Sequence, residues 1–328
     1  MNIMESQIIA PKPEDPKGPW DVVVIGSGPS GLTAAIYTTR GAASTLILGG
    51  EVWGGQLMLT TTVDNFPGFP EGIQGPELME KMKTQAQRFG AEFLGVSVES
   101  VDLTKKPFEI SAGGKTYLAR SIIVATGALT TWLDAPGVHE LIGKGVSSCA
   151  PCDAPFFRDK KVAVVGGGDS AMEEASVLTK YASEVTIIHR RDAFKASAAM
   201  QEKVTTNPKI KILWNSEVTE AVGSGKLEKL KIKNNVSNEI SEIPFDGLFV
   251  AIGHKPASDI FAGIIDRDER GFIEPEAERP GAGHCETSVK GVFVAGDVMD
   301  KDYKQAITSA GMGCIAAMET LRYLEEEK

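Results

Sequence analysis

The feature that most constrains the fold is a pattern of strand, glycine turn, helix and strand that occurs twice. The first copy comprises the apolar run 22–25, the turn Gly26-Ser27-Gly28-Pro29-Ser30-Gly31, a helical pattern over 32–40 and a strand over 45–48. The second copy comprises the apolar run 162–165, the turn Gly166-Gly167-Gly168-Asp169-Ser170-Ala171, a helix to about Lys180 and a strand over 185–188. Alternating strands and helices are typical of parallel α/β sheets. We therefore predict an α/β chain with two Rossmann-like dinucleotide-binding domains.

Each glycine turn has the arrangement that binds a diphosphate. The first glycine permits the turn, the second lets the backbone approach the diphosphate, and the third position lets helix and strand pack closely. The start of the following helix then offers positive potential to the anion. The expected contacts are Gly26, Gly28, Pro29 and Gly31 in the first turn, and Gly166, Gly168, Asp169, Ser170 and Ala171 in the second.

The residues that follow the second strand of each copy predict different nucleotides. In the first copy this residue is Glu51, which is placed to accept hydrogen bonds from ribose hydroxyls, although a solvated loop carboxylate would have the same pattern. In the second copy the corresponding residues are His189, Arg190, Arg191 and Lys195. Cations at this place suit the 2′-phosphate of NADPH, and a solvated charge cluster is the alternative.

A flavin site is indicated by two further strands that end in glycine-containing turns. One leads to Asp297, whose carboxylate is placed to bond the ribityl chain of FAD, and the other leads to Thr126 and Gly127. A long helical pattern over about 305–323 would bring its positive end near the flavin ring, which stabilises reduced flavin. We therefore expect FAD at the first glycine turn and NADPH at the second.

The order of these motifs predicts that the second nucleotide domain is inserted into the first. The expected FAD domain has two parts, 20–128 and 256–328, and the expected NADPH domain covers 129–255. Residues 1–19 are rich in proline and charge and are expected to form a flexible tail. They lack the apolar stretch of a signal peptide, so we expect a cytoplasmic protein.

Composition argues against several classes of partner. The chain has 328 residues, enough for two packed domains, and a net charge of −10. No run of Lys and Arg is long enough to follow the phosphates of a nucleic acid, and the acidic balance does not favour anionic membrane surfaces. No segment reaches the roughly twenty apolar residues of a membrane span. We expect neither nucleic acid nor a membrane as a partner.

Cys149 and Cys152, separated by two residues, form the motif that distinguishes this chain from other proteins with two nucleotide turns. This spacing allows a disulfide that opens and closes readily, and the N-terminal thiol of such a motif often has a lowered pKa. A zinc half-site would need two further ligands at close spacing, which Cys285 and Cys314 do not provide. A structural disulfide is disfavoured in a reducing cytoplasm. The motif therefore predicts redox chemistry, and no metal site is expected.

Asp153 directly follows the second cysteine and has two interpretations. Thiol exchange needs a proton for the leaving thiolate, and a nearby carboxyl with a raised pKa could supply it. Asp also favours the N-cap position of a helix. Cys314, in a Gly- and Ala-rich helical pattern, is expected to be a small core residue, and Cys285 has no assigned role.

These motifs, in this order, resemble those of the low-molecular-weight thioredoxin reductases of bacteria, archaea, fungi and plants. The resemblance extends over nearly the whole chain after residue 20. The matching stretches are 24–29, 54–57, 64–68, 149–153, 251–254, 295–297 and 305–311. Their co-occurrence is highly specific.

The resemblance implies a homodimer with one FAD per subunit, NADPH as the donor and thioredoxin as the partner. Hydride would pass from NADPH to FAD, and electrons would then pass through the Cys149–Cys152 disulfide to the disulfide of thioredoxin. Cys152 would face the flavin, Cys149 would attack thioredoxin, and Asp153 would be the acid. The flavin contacts that the resemblance implies are Glu51, Gln56, Asn65, Asp297, Gln305 and Ala306.

Three positions depart from the family pattern. Ala154, followed by Pro155, stands where Gly is usual and is expected to stiffen the redox loop. Lys195 stands where Arg is common and lacks the bidentate fork for a phosphate, so a weaker preference for NADPH over NADH is expected. Lys304 also stands where Arg is common, and we include it among the expected flavin contacts.

The location of the cysteine pair predicts movement. The pair lies in the NADPH domain, must meet a flavin in the other domain, and must also reach a protein disulfide. We therefore expect the NADPH domain to rotate about linkers near residues 128 and 255. The alternatives are a reductase of the same architecture for another thioredoxin-like protein or small dithiol, and a redox-sensing flavoprotein. A ferredoxin–NADP reductase would have no use for the pair.

Overall fold

The computed structural model describes residues 10–276 and 283–327. Its strands are β1 (Trp20–Ile25), β2 (Thr45–Leu48), β3 (Thr62–Val63), β4 (Ile73–Gln74), β5 (Glu92–Leu94), β6 (Val98–Asp102), β7 (Phe108–Ala112), β8 (Lys115–Val124), β9 (Ala128–Thr130), β10 (Val146–Ser147), β11 (Lys161–Val165), β12 (Glu184–Ile188), β13 (Ile210–Leu213), β14 (Ser216–Val222), β15 (Lys229–Asn234), β16 (Ile240–Pro244), β17 (Gly247–Val250), β18 (His254–Pro256) and β19 (Val292–Val294). Its α-helices are α1 (Pro29–Arg40), α2 (Gly75–Arg88), α3 (Ala150–Asp153), α4 (Asp169–Leu178), α5 (Ala198–Thr205) and α6 (Ala306–Glu326). None of these helices is both long and apolar enough to cross a membrane.

The described residues divide into two compact units. One unit contains the residues up to Leu129 together with those from Lys255 onward, and the other is Thr130–His254. The chain passes from one unit to the other within β9 and returns within β18, and these two short strands pair with each other. Both units contain parallel strands with helices between them, which confirms the predicted α/β class and its Rossmann-like sheets.

The main sheet of the first unit has the strand order β5-β2-β1-β8-β7-β6, and β19 also pairs with β8. Strands β5, β2, β1, β8 and β19 run parallel, whereas β6 and β7 add antiparallel pairs. Side chains alternate between the two faces of a strand. Accordingly, Val22 and Val24 of β1 enter one apolar cluster, and Val23 and Ile25 enter another. Because both faces are covered, β1 is a continuous apolar run rather than an alternating one.

Helices α1 and α6 pack closely against each other in the first unit. A Cβ at Gly313 of α6 would lie 2.1 Å from the carbonyl oxygen of Ser30 in α1, so only glycine allows this approach. Leu32 of α1 and Ala317 of α6 belong to the same buried cluster. This packing fixes the start of α1, which follows the first glycine turn, relative to α6.

The second unit is built on a parallel sheet with the order β10-β17-β11-β12-β13. Helix α4 follows β11 across the second glycine turn. Val162 and Val164 of β11 pack in one buried cluster, and Ala163 and Val165 pack in the opposite one. A separate antiparallel sheet, β14-β15-β16, contributes Leu230 to the second of these clusters.

Part of the segment that we expected to be a flexible tail has defined contacts. Ala10 is buried, and its N–H donates to the carbonyl oxygen of Phe89 at 2.9 Å. The N–H of Leu118 donates to the carbonyl oxygen of Lys17 at 2.7 Å. This part of the segment is therefore bound to the first unit, and residues 1–9 lie outside the described residues.

Candidate active site

The two cysteines of the redox motif are joined in a disulfide. Strand β10 leads into the short helix α3, and Cys149 occupies the N-cap position of that helix. The Sγ atoms of Cys149 and Cys152 are 2.07 Å apart and their Cα atoms 5.3 Å apart. Both cysteines are partly buried, and Pro151 between them is exposed. The structure thus joins the two thiols on which the redox prediction depends and leaves their loop partly accessible to solvent.

Hydrogen bonds hold the cysteine loop in shape. The N–H groups of Cys152 and Asp153 donate to the carbonyl oxygen of Cys149 at 3.2 and 3.1 Å. The N–H of Cys149 donates to Ser147 Oγ at 3.0 Å. Because these bonds close one helical turn, they keep the two sulfur atoms at the same end of the loop.

Asp153 lies beside the disulfide and is partly buried. Burial raises the pKa of its carboxyl, and a hydrogen bond with the Ser147 side chain opposes this change. Asp153 precedes the 3₁₀ turn Ala154–Phe157, but its side chain makes no capping hydrogen bond to this described turn. The surroundings therefore favour a carboxyl that keeps its proton to a higher pH than an exposed Asp, as a proton donor requires.

Glu174 is a further residue at the cysteine loop, and no motif in the sequence points to it. It lies on α4, and its Oε2 accepts a hydrogen bond from the N–H of Ala150 at 2.5 Å. Burial, together with the charges of Asp153 and Glu173, raises the pKa of Glu174 to about 7, although the bond from Ala150 opposes this change. No residue spacing connects Glu174 with the cysteines, because the contact depends on the packing of α4 against α3.

The first glycine turn combines close packing with an open surface. A Cβ at Gly26 would lie 2.1 Å from the carbonyl oxygen of Ala125, and one at Gly31 would lie 2.3 Å from that of Gly26. A Cβ at Gly28 would meet nothing within 4 Å. Gly28 is the N-cap of α1, which begins at Pro29 and has no side-chain cap from the described residues. The backbone N–H groups at this helix start can therefore receive an anion.

The turn around Asp297 connects the starts of α1 and α6. A Cβ at Gly296 would lie 2.5 Å from Ser30 Oγ in the first turn of α1. Asp297 Oδ1 accepts a hydrogen bond from Ser309 Oγ of α6 at 2.7 Å. Burial raises the pKa of Asp297, and the bond from Ser309 opposes this change. The structure therefore places this expected flavin residue next to the first glycine turn.

Three more of the expected flavin residues lie at or near the start of α6. Gln305 is the N-cap of α6 and takes part in a capping box, and Ala306 is the first residue of the helix. Asn65 Nδ2 donates to Gln305 Oε1 at 3.3 Å, although 240 residues separate the two. Gln56 makes a different contact, since its Nε2 donates to the carbonyl oxygen of Ala128 at 3.4 Å.

Thr126 and Gly127 have the properties of a surface that receives a polar ligand. A Cβ at Gly26 would lie 3.0 Å from the N atom of Thr126, so this segment is next to the first glycine turn. The Thr126 hydroxyl is buried and has no hydrogen-bond partner among the described residues. A Cβ at Gly127 would meet nothing within 4 Å. Because a buried polar group normally has a partner, this hydroxyl fits a bound FAD.

Glu51 and Lys304 are also expected flavin contacts, but their surroundings differ from those of the residues above. Glu51 is exposed, and its N–H donates to Ser97 Oγ at 3.3 Å, which is compatible with both a ribose contact and a solvated loop. Lys304 Nζ donates to the carbonyl oxygen of Lys301 at 2.5 Å, and burial lowers the pKa of this ammonium despite the charge of Asp300. The Lys304 side chain is thus bound to the backbone of its own loop.

The second glycine turn has the same combination of packing and open surface. A Cβ at Gly166 would lie 2.4 Å from the carbonyl oxygen of Ala251 and 2.6 Å from the Cβ of Ala171, which is buried. A Cβ at Gly168 would meet nothing within 4 Å. Gly168 is the N-cap of α4, which has no side-chain cap among the described residues. This turn therefore also fits the diphosphate of a nucleotide.

Asp169 and Ser170 begin helix α4 and differ in their contacts. The Asp169 carboxylate accepts hydrogen bonds from the N–H and the hydroxyl of Ser197, both at 2.8 Å, and these bonds lower its pKa. Ser170 is exposed. Because the Asp169 carboxylate is bound to Ser197, it connects the glycine turn to the loop that carries the basic residues.

His189 supports the second glycine turn from within the unit. It is buried, with Nδ1 3.0 Å from the carbonyl oxygen of Gly166 and Nε2 3.0 Å from that of Ala193. A Cβ at Gly167 would lie 2.1 Å from the His189 ring. Both ring nitrogens face backbone oxygens, so the position of His189 fits a role in shaping the loop rather than the phosphate contact expected from the sequence.

The other basic residues of this cluster are on the surface. Arg190, Arg191 and Lys195 are exposed, and none has a salt bridge within residues 10–276 and 283–327. The N–H of Lys195 donates to the carbonyl oxygen of Gly167 at 2.8 Å, so this residue lies beside the glycine turn. These cations are available to an anionic group at that place.

Comparison with known proteins places the chain among flavoprotein reductases. The family model described as pyridine nucleotide-disulphide oxidoreductase matches residues 20–313. The thioredoxin reductase of Rickettsia felis is 48% identical, and the match covers 93% of this chain and 98% of that protein. The mitochondrial thioredoxin reductase 1 of Arabidopsis thaliana is 49% identical, and the match covers 92% of this chain and 83% of that protein.

Solved structures show the same fold. The thioredoxin reductase of Giardia duodenalis is 41% identical, has a TM-score of 0.88, and the match covers 93% of this chain and 99% of that one. The Lactococcus lactis thioredoxin reductase in the FR conformation is 38% identical, with a TM-score of 0.62 and coverage of 94% and 99%. The chain belongs to the pyridine nucleotide-disulphide oxidoreductase family and, within it, to the thioredoxin reductases.

Proposed function

We propose that this chain is a thioredoxin-disulfide reductase that uses FAD and NADPH. The observation that carries the proposal is the Cys149–Cys152 disulfide, which lies in the same unit as the second glycine turn and beside the carboxyl of Asp153. Oxidised thioredoxin is the proposed substrate, and its dithiol is the product. The close relatives named thioredoxin reductase support this choice of partner.

The two glycine turns are the proposed cofactor sites. When bound, NADPH supplies a hydride and FAD passes the electron pair on to a disulfide. Backbone N–H groups at the starts of α1 and α4 would hold the two diphosphates. The other proposed FAD contacts are Glu51, Gln56, Asn65, Thr126, Gly127, Asp297, Lys304, Gln305 and Ala306. Arg190, Arg191 and Lys195 would hold the 2′-phosphate of NADPH, with His189 shaping their loop.

The cysteines and Asp153 carry out thiol exchange in this proposal. The Cys149 thiolate attacks one sulfur of the thioredoxin disulfide, which forms a mixed disulfide and releases the other sulfur as a thiolate. The carboxyl of Asp153 gives its proton to a leaving thiolate. The Cys152 thiolate then attacks Cys149, which restores the Cys149–Cys152 disulfide and releases thioredoxin as a dithiol. Two electrons leave the enzyme in each such cycle.

Rotation of the second unit about β9 and β18 is the proposed means by which the cysteine pair alternates between flavin and thioredoxin. The spread of TM-scores among relatives of similar identity, 0.88 and 0.62, is what movable units would produce. A covalent crosslink that fixes the two units should abolish steady-state turnover and leave a single flavin reduction intact. Full turnover in the crosslinked enzyme would refute rotation.

A homodimer formed through α6 is the proposed assembly. Ile307, Ile315 and Met318 of α6 are 44%, 41% and 45% exposed, and their spacing along the helix gives one apolar stripe. Tyr37 of α1 is 41% exposed, and its hydroxyl interacts with the Cys314 side chain of α6, so it extends this stripe. A second copy would cover the stripe with an equivalent one about a two-fold axis.

The experiment that tests the proposed function is NADPH oxidation by the holoenzyme with a panel of disulfides. The panel contains thioredoxin, a glutaredoxin-like protein and a small aromatic disulfide. We expect thioredoxin to give the highest kcat/KM, and we expect Cys149→Ser to lose this activity. Cys285→Ser is the matched control, because Cys285 is buried and burial raises its pKa to about 12. A preference for another member of the panel would instead support a related disulfide reductase.

The cytoplasm is the proposed location of the protein. Close cysteine pairs in a reducing compartment are usually catalytic rather than structural, as proposed for Cys149 and Cys152.

A further inference from the structure

Helix α4 connects the second glycine turn with the cysteine loop. It begins at Asp169, directly after Gly168, and carries Glu174 in its second turn. Glu174 Oε2 is 2.5 Å from the N atom of Ala150, which forms a peptide bond with Cys149. The carboxyl therefore lies beside the backbone of the cysteine that is proposed to attack thioredoxin.

The surroundings of Glu174 make its charge sensitive to pH near neutrality. Asp153 of α3 and Glu173 of α4 are the charged groups that act on it, and both are acidic. Within the described parts of the chain, Glu174 has no salt bridge with Lys or Arg. Burial and these two charges raise its pKa to about 7 against the effect of the Ala150 N–H. The charge of Glu174 therefore changes within the neutral pH range.

We propose that Glu174 is a positioning residue of the redox pair, which fixes the Cys149–Ala150 turn and, through its charge, sets how much of the reduced Cys149 thiol is present as thiolate. The inference rests on the proposed redox function of the pair. A negative carboxylate next to Cys149 raises the pKa of the Cys149 thiol by charge repulsion. The carboxylate also accepts the hydrogen bond of the Ala150 N–H, which is then not available to stabilise the thiolate. When Glu174 takes up a proton, the charge repulsion is removed.

The role has a consequence for the reaction. The thiolate is the form that attacks a disulfide. An ionised Glu174 therefore lowers the reactivity of reduced Cys149, and it also destabilises the reduced pair relative to the disulfide. The reduced enzyme should accordingly be a stronger reductant than it would be with a neutral residue at this position.

The test compares Glu174→Gln with wild type in the holoenzyme reduced by a dithiol. Gln keeps the shape and an oxygen that can accept the bond from Ala150, but it has no charge. Alkylation of Cys149 by iodoacetamide is followed by peptide mapping between about pH 5 and pH 9. We expect alkylation at pH 7 to be roughly three- to tenfold faster in Glu174→Gln and its redox potential to be higher. We also expect two inflections in wild type, one from Glu174 near pH 7 and one from the thiol, and only the thiol inflection in the variant.

The matched control is Glu173→Gln, which removes an exposed charge one residue away. Its alkylation rate at pH 7 should stay within about twofold of wild type, with the Glu174 inflection moved only slightly to lower pH, because solvent screens the Glu173 charge. Superimposable profiles of Glu174→Gln and wild type, or an equal effect of Glu173→Gln, would overturn the proposal. Glu174→Asp keeps the charge but shortens the reach to Ala150, and it should keep the inflection near pH 7.

The wild type provides a second test if Glu174→Gln does not fold with bound flavin. Its alkylation profile must then show two inflections, and a single thiol titration would overturn the proposal. These measurements use no thioredoxin. Failure of the Glu174 proposal is therefore distinguishable from failure of the proposed function, which would appear as a lack of thioredoxin turnover.

Discussion

The substitution Gly168→Ala tests where the diphosphate of NADPH binds. Gly168 has φ −98° and ψ −179°, which alanine adopts without strain, and an added Cβ would meet nothing within 4 Å. The folded enzyme should therefore be unaffected, with a change in the free energy of unfolding within about 0.5 kcal/mol. In the nucleotide complex, however, the Cβ would stand between the diphosphate and the N–H groups at the start of α4.

The size of the effect follows from the hydrogen bonds that the diphosphate would lose. A hydrogen bond to a charged group contributes about 1.5–3 kcal/mol, so one lost bond should raise the KM for NADPH roughly ten- to hundredfold. The assay is the KM for NADPH with a small electron acceptor, together with the Kd of NADP⁺. Thermal unfolding of the same preparation shows whether the fold is intact.

Gly166→Ala is the matched comparison within the same turn. Its Cβ would lie 2.4 Å from the carbonyl oxygen of Ala251 and 2.6 Å from the Cβ of Ala171, so the backbone must shift. Such overpacking typically costs about 1–3 kcal/mol of stability. An unchanged KM in Gly168→Ala, or a loss of stability as large as that of Gly166→Ala, would refute this account of the turn.

Three further predictions concern acid groups and assembly. Burial raises the pKa of Asp153, so thioredoxin reduction should fall as pH rises through that pKa, and Asp153→Asn should slow it by roughly 10²- to 10⁴-fold across the pH range. The raised pKa of Glu174 means that the folded state binds its proton more tightly than the unfolded state. Stability should therefore fall by at most about 3 kcal/mol as pH rises from about 4.5 to about 7, and Glu174→Gln should remove this dependence in urea unfolding. Ile315→Glu should convert the proposed dimer into monomers in light scattering, whereas an exposed Val236→Glu control should not.

Much of the fold was predictable because its signals are local. The apolar runs predicted at 22–25, 162–165 and 185–188 lie within Trp20–Ile25, Lys161–Val165 and Glu184–Ile188. The helix predicted over about 305–323 is Ala306–Glu326, and it ends three residues later than predicted because charged residues at a surface helix end do not stop the backbone hydrogen bonds.

The tertiary contacts of the site were harder to predict from the sequence. Asn65 and Gln305 are in contact across 240 residues, and only the family resemblance had associated both with the flavin. The sequence grouped His189 with its basic neighbours, but burial and two backbone contacts separate it from them. Glu174 had no signal, because its bond to Ala150 requires α3 and α4 to pack together. Residue type and spacing do not contain this information.

The most direct test of the central claim is an anaerobic titration of the holoenzyme with NADPH, followed by flavin absorbance and thiol counting. If Cys149 and Cys152 relay electrons from flavin to thioredoxin, wild type should take up about two equivalents of NADPH per subunit, one for the flavin and one for the disulfide. Cys149→Ser should take up about one and reduce no thioredoxin. A wild type that takes up about one equivalent and gains no thiols would contradict the assignment.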